Sequence, residues 1–290
     1  RDVAPSRGLG DVYKRQEFTQ NLDEAITFAL DNGLQGVELR SVDDRALQDF
    51  SLEEISGWKK KLDAAGLEVS NLASSFFKCS FEPGQIEMQL RRLEKLCDIA
   101  DILACRTLRG FSFFREDTVS LERLAAAFEP ALTILQKRDK LLLLEADPSV
   151  YTTNHRTVAE LLRLLGSDHA AAVYDPGNCL FDPLGEKPFP DAYEAIRPYL
   201  RHVHIKDAVY EKGEPVCLAP GSGLVDFPTV LRRLRDDSYN GYVSLEPHYR
   251  ATLTLTEAQM RTPSGAEFSR GGKEAMQQSA NALKRMLGAR

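Results

Sequence analysis

Arg201-His202-Val203-His204-Ile205-Lys206-Asp207 is the stretch from which the fold can be read. Neighbouring side chains on a strand point to opposite faces, so Val203 and Ile205 share one side while His202, His204 and Lys206 share the other. Two imidazoles and an ammonium group cannot lie on the covered face of a sheet without acidic partners. Candidates stand at the ends of three other apolar runs: Glu145 after Leu141 to Leu144, Asp175 after Ala170 to Tyr174, and Glu246 after Tyr242 to Leu245. Glu145, Asp175, His204 and Glu246 are therefore expected to converge on one divalent metal ion. Three carboxylates and an imidazole suit Mn2+, Mg2+ or Co2+ better than a thiolate-loving metal, and Zn2+ also fits.

Outward from this stretch, strand and helix patterns alternate. Gly36 to Arg40, Leu67 to Ser74, Thr107 to Phe111, Lys140 to Glu145, Ala170 to Asp175, the histidine stretch and Gly241 to Glu246 read as strands. Amphipathic helices are expected at Leu22 to Asn32, Leu52 to Ala65, Gln85 to Leu103, Val119 to Gln136, Thr157 to Leu165, Pro190 to Tyr199, Phe227 to Leu234 and Ala266 to Leu287. Ser51 and Glu54 form a capping-box pattern. Ala208 to Val225, rich in Gly and Pro, reads as a long loop. Such alternation builds a parallel sheet, either open or closed. No Gly-rich dinucleotide fingerprint opens an early helix, which favours a single-domain (β/α)8 TIM barrel, a fold that commonly fills about 250 residues.

Seven strands are counted where eight are needed, and the gap falls at the start. Residues 1–16 lack strand or helix periodicity, and Gly-Leu-Gly-Asp-Val-Tyr-Lys-Arg-Gln resembles translated sequencing-adaptor read-through. They are expected to be a non-native or disordered leader, with the barrel domain at 17–290 lacking its first strand.

The chain has 290 residues, 28 % of them charged, and a net charge of −6, which argues against a nucleic-acid surface held by bulk positive charge. No apolar run approaches the roughly 20 residues of a membrane span, and no signal-peptide pattern opens the chain, so no membrane partner and a cytoplasmic location are expected. Homo-oligomer formation stays open. The five cysteines form no CxxC pair and read as core or loop residues. His202 reads as a hydrogen-bonded core histidine one layer below His204, His155 and His248 as loop residues, and His169 as a surface residue.

Leu144-Glu145, Tyr174-Asp175-Pro176-Gly177-Asn178, His202-Val203-His204-Ile205-Lys206-Asp207, Pro220-Gly221-Ser222-Gly223 with Val225-Asp226, and Tyr239-Asn240-Gly241-Tyr242 leading to Leu245-Glu246-Pro247-His248 resemble the sugar phosphate isomerase/epimerase family of xylose-isomerase-like TIM barrels. Gly36 to Arg40 and Arg109-Gly110-Phe111-Ser112-Phe113-Phe114 fit it too. The resemblance implies the same four metal ligands, and Glu145 and Glu246 as the catalytic pair that moves protons. A metal chelating a ketose carbonyl and the adjacent hydroxyl would acidify the carbon-bound proton and lead to an enediolate. One glutamate would remove the proton, and the other could return it from the opposite face. Asn178, Lys206 and Arg109 are candidate substrate contacts, with salt-bridged rim positions as the alternative. Phe76, Phe77, Phe113 and Phe114 either wall off water or simply pack.

The expected partner is a small-molecule sugar or sugar phosphate. Chains of this fold that cut DNA with three zinc ions need further histidines, and here none precedes His155 and Asn178 stands where another would follow Asp175. A keto-inositol-type dehydratase on the same metal site is the rival enzyme reading, and a non-catalytic carbohydrate-binding module is the rival from another class.

Overall fold

A computed structural model describes residues 10–14, 18–115, 119–250 and 269–288, with side chains described from Phe18 onward. Eight parallel strands close a barrel: β1 (Gly10–Lys14), β2 (Gly36–Leu39), β3 (Glu68–Phe76), β4 (Thr107–Gly110), β5 (Leu141–Leu144), β6 (Ala170–Tyr174), β7 (Leu200–Ile205) and β8 (Tyr242–Leu245). Around the ring the order is β1-β8-β7-β6-β5-β4-β3-β2. Helices α1 (Leu22–Asp31), α2 (Leu52–Ala64), α3 (Pro83–Ile102), α4 (Leu121–Lys137), α5 (His155–Leu165), α6 (Tyr193–Ile196), α7 (Phe227–Asp236) and α8 (Gly272–Leu287) accompany the strands. The capping box forms as expected: Ser51 Oγ accepts from Glu54 N at 3.2 Å, and Ser51 N donates to Glu54 Oε2 at 2.8 Å.

The seven strands from β2 to β8 are those read from the sequence. The structure differs at the position expected to be vacant, which Gly10–Lys14 occupies, pairing with β8 through Gly10 to Tyr13 and with β2 through Val12 to Lys14. A seven-stranded parallel sheet leaves two edges of unpaired backbone groups. Pairing with them uses main-chain donors and acceptors, which any side-chain pattern supplies, so a stretch without apolar alternation can still close the ring. The expected start of the last helix at Ala266 lies outside the described residues.

Strand parity sorts the two sides of the wall. On β5 and β6, Leu142, Leu144, Ala170, Ala172 and Tyr174 join the large core beneath the helices, while Leu141, Leu143, Ala171 and Val173 form a separate apolar cluster. Glu145 and Asp175 continue the parity of that second cluster, so each lies on the inward side just past the end of its strand. Acidic tips on an apolar plug are thus a direct product of the alternation.

The connection after β7 is more ordered than a loop, since Asp207–Glu211 and Glu214–Leu218 pair as an antiparallel hairpin. Asp207 also ties down the turn between this hairpin and α7. Its carboxylate accepts from the backbone N–H groups of Ala208, Gly221, Gly223 and Val225 at 2.8–3.1 Å. A Cβ on Gly223 would sit 2.2 Å from Asp207 Oδ1 and 2.6 Å from Ala208 O, so no side chain fits there. Gly177 is constrained likewise, because a Cβ would lie 2.4 Å from Lys206 O. Gly223→Ala is expected to destabilise the protein by about 1–3 kcal/mol through overpacking, read as a lower urea midpoint; an unchanged midpoint would contradict this account of the turn.

Candidate functional site

At the carboxyl ends of β5 to β8 the structure brings Glu145, Asp175, His204 and Glu246 together, with one donor atom from each lying within 4.8 Å of the others. Exposure is 3 % or less for all four. His204 Nδ1 lies 2.6 Å from Glu145 Oε1 and 2.6 Å from Glu246 Oε2. Atoms bound to one ion at about 2.0–2.6 Å sit no more than about 5 Å apart, so the spacing suits a shared cation.

Each glutamate has a basic side chain behind it. Glu145 turns its second oxygen to Arg109, whose Nη1 donates to Oε2 at 2.8 Å. Arg109 is itself buried, giving its other hydrogens to the carbonyls of Ser74 and Ala73. On Glu246, Oε1 faces His248 Nε2 at 3.0 Å. Asp175 is held by both its side chain and its backbone. Lys206 Nζ approaches Oδ2 to 2.7 Å as an ion pair but not at a hydrogen-bonding angle, which leaves that oxygen without a hydrogen bond. Its partner oxygen accepts from Asn178 N at 3.2 Å, and its own N–H donates to His155 Nε2 at 3.2 Å.

The charges of the group reinforce one another. Burial opposes the charge on Glu145, but the Arg109 guanidinium leads the groups that outweigh it and hold the carboxyl well below its ordinary range. Burial would likewise depress Lys206, yet Asp175, Glu246 and Glu145 together push its pKa up. Four buried carboxylates, Glu38, Glu145, Asp175 and Glu246, face two permanent buried cations, Arg109 and Lys206. Among the described residues, and with neutral imidazoles, these four carboxylates exceed the two cations by two charges, a surplus that a divalent ion would balance. Together with the oxygen of Asp175 that lacks a hydrogen bond, this donor set fits such an ion.

Of the three expected substrate contacts, Arg109 is not at a rim, since its guanidinium is spent on Glu145 and two carbonyls. Lys206 faces Asp175. Asn178 donates through Nδ2 to Ala146 O at 2.8 Å, which ties the loop after β6 to the loop after β5. Phe77, Phe113 and Phe128 pack on one another beneath the helices, with ring centroids 4.2–5.9 Å apart, so the first two of these are core rather than a water barrier. Phe111 lies nearer the site, with Lys78 Nζ and the Arg109 guanidinium 4.8 and 4.9 Å from its ring centre. Lys78 is paired with Asp147 at 2.7 Å.

His202 is buried and lies 3.3 Å from Glu38 Oε2, and His169 is partly exposed against Lys140 O. His155 requires a correction. It is fully buried at the start of α5, with Nδ1 2.9 Å from Glu186 Oε2 and 3.4 Å from Cys179 Sγ. These three residues have metal-ligand spacing. However, Nε2 accepts from the Asp175 N–H, which places the ring hydrogen on Nδ1 toward Glu186, so the trio holds no cation without stripping the ring further. The helix-opening position of His155 beneath Asp175 left no signal in the sequence. The main residue missed there is Glu38, whose only signal was an acidic side chain inside Gly36-Val37-Glu38-Leu39, a strand buried throughout.

The model of the family described as xylose isomerase-like TIM barrel matches residues 26–285. No curated protein matches the chain by sequence. Among solved structures, D-allulose 3-epimerase from Methylomonas sp. is 15 % identical with a TM-score of 0.73, covering 97 % of this chain and 98 % of its own. The IOLI protein, solved with a bound zinc atom, has the same identity, coverage and TM-score. The probable 3-DHS dehydratase AsbF of Bacillus anthracis is 16 % identical with a TM-score of 0.72, covering 95 % of this chain and 99 % of its own. At these identities the likeness is one of fold.

Arg109→Met would leave Glu145 buried beside an uncharged side chain. It is expected to cost about 3–5 kcal/mol of stability, measured by denaturant unfolding; a loss below about 1 kcal/mol would mean that the pair does not hold the site together.

Proposed function

The chain belongs to the xylose isomerase-like TIM-barrel family, and from that premise we propose that it is a divalent-metal-dependent isomerase or epimerase of a sugar or sugar phosphate. The observation that carries this reading is the matched pair of glutamates. Glu145 has one oxygen hydrogen-bonded by Arg109, Glu246 has one beside the His248 ring, and both turn the other toward the same imidazole nitrogen. They approach from β5 and β8, which are separated around the ring by β6 and β7, so a substrate seated between them would meet a carboxylate on either side.

Glu145, Asp175, His204 and Glu246 are the residues that would hold the ion. When bound, it would polarise a carbonyl and its neighbouring hydroxyl and so acidify the hydrogen between them. Arg109 keeps Glu145 ionised and therefore able to accept that hydrogen. On this reading Glu246 returns one from the other side, which inverts the carbon; return by the first glutamate to the adjacent carbon would exchange aldose and ketose. Lys206, Asn178 and Arg109 orient the ligand carboxylates and the loops above them, and Lys206 with Asn178 remains our choice for contacting substrate oxygens. The epimerase among the structural neighbours supports a sugar substrate, and the neighbour holding zinc supports a divalent ion.

A second reading is loss of water from the same enediolate, favoured by the dehydratase that shares the fold. Incubating the protein with free and phosphorylated ketoses in deuterium oxide separates the two. An isomerase or epimerase is expected to place solvent deuterium at a carbon next to the carbonyl without loss of water, whereas a dehydratase gives an unsaturated product. Exchange is expected to fall at least a hundredfold after chelation and to return with Mn2+ or Co2+, and to fall comparably in Glu145→Gln and Glu246→Gln. Full exchange in the chelated protein would refute the reading, and sugar binding without any exchange would favour a non-catalytic carbohydrate-binding module.

A further inference from the structure

Glu38 on β2 is completely buried and faces four groups that can donate hydrogen bonds. Asn71 Nδ2 donates to Oε1 at 2.9 Å and Ser244 Oγ to Oε2 at 2.6 Å. His202 Nε2 is 3.3 Å from Oε2, and His204 Nε2 is 3.2 Å from both oxygens. An ionised carboxylate can only accept, so each of these nitrogens must present its hydrogen. For His204 that requirement has a consequence on the other side of the ring. A neutral imidazole with its hydrogen on Nε2 has a bare Nδ1, and Nδ1 is the atom that meets Glu145 and Glu246 at 2.6 Å.

We infer that Glu38 is a positioning residue for the metal centre: it accepts the Nε2 hydrogen of His204, thereby holding the ring's plane and directing the Nδ1 lone pair toward Glu145 and Glu246, where the ion would bind. This rests on the metal reading above and deepens it. Glu38, His202 and His204 also have the spacing of a metal site of their own, but Asn71 and Ser244 already direct hydrogens at the same carboxylate, so a cation there would face two donors. Ser244 lies on β8 between β1 and β7 in the ring. It supplies a control, because its loss removes one donor from Glu38 Oε2 and leaves both carboxylate oxygens within reach of His204 Nε2.

The test is Co2+ titration of metal-depleted wild type, Glu38→Gln and Ser244→Ala, followed by calorimetry and visible absorption. Glutamine offers one acceptor oxygen to four donors, and loss of such an outer partner typically weakens metal binding about 10–100-fold. That weakening is expected for Glu38→Gln, with one ion still bound per chain and an altered absorption band, while Ser244→Ala stays within about threefold of wild type. Equal affinity in Glu38→Gln and wild type would overturn the inference alone, as would an equal loss in Ser244→Ala, which would mean general loosening of the core. Wild-type protein that takes up no Co2+ would overturn the metal reading and this inference with it. Should Glu38→Gln not fold, nitrogen-15 spectra of the Zn2+-loaded wild type decide: the ring hydrogen of His204 is expected on Nε2, and a hydrogen on Nδ1 would overturn the assignment.

Discussion

Negative charge buried at the mouth of a closed barrel is the constraint on which this structure turns. Glu38, Glu145, Asp175 and Glu246 lie where water cannot solvate them, and an uncompensated carboxylate in such a place is strongly unfavourable. Three of them are met by a partner from another strand of the ring. Arg109 on β4 answers Glu145, Lys206 just beyond β7 answers Asp175, and the two histidines of β7 answer Glu38. Because these partners come from different strands, the charges can be balanced only when the barrel is assembled, and the same network that holds the wall in register holds the candidate ligands at one point.

The parts of this arrangement that obey strand parity were readable in the sequence. Inward histidines on β7 demanded acids, and Glu145, Asp175 and His204 follow one another at about one strand-helix module each, with a longer step to Glu246, so four residues could be brought together without coordinates. Parity also makes Glu145 and Asp175 continue the inward rows of Leu141, Leu143, Ala171 and Val173. What parity cannot give is the partner across the ring. Glu38 sits three strands from His204, with β1 and β8 between, and nothing in Gly36-Val37-Glu38-Leu39 says which strand closes opposite it. Arg109 was visible as a basic residue, yet its engagement with Glu145 depends on the register of β4 against β5.

Other differences have similarly local causes. His155 opens a helix, where a histidine is ordinary in sequence, but the barrel wall packs over it and turns its ring toward the Asp175 backbone. The Gly- and Pro-rich stretch after β7 disguised a hairpin, and the turn that follows it is tied by Asp207. Gly10–Lys14 lacks the apolar alternation of a wall strand, and it pairs through main-chain groups that carry no signature in the sequence.

On the proposed reading, a single divalent ion is the missing counter-charge for this cluster. Crystals grown with Mn2+ and measured by anomalous diffraction at the manganese edge would locate it directly. One strong anomalous peak is expected in the cluster, about 2.0–2.6 Å from Glu145, Asp175, His204 Nδ1 and Glu246. No peak there, or one bound through Glu38 and His202 or through His155, Cys179 and Glu186, would contradict it.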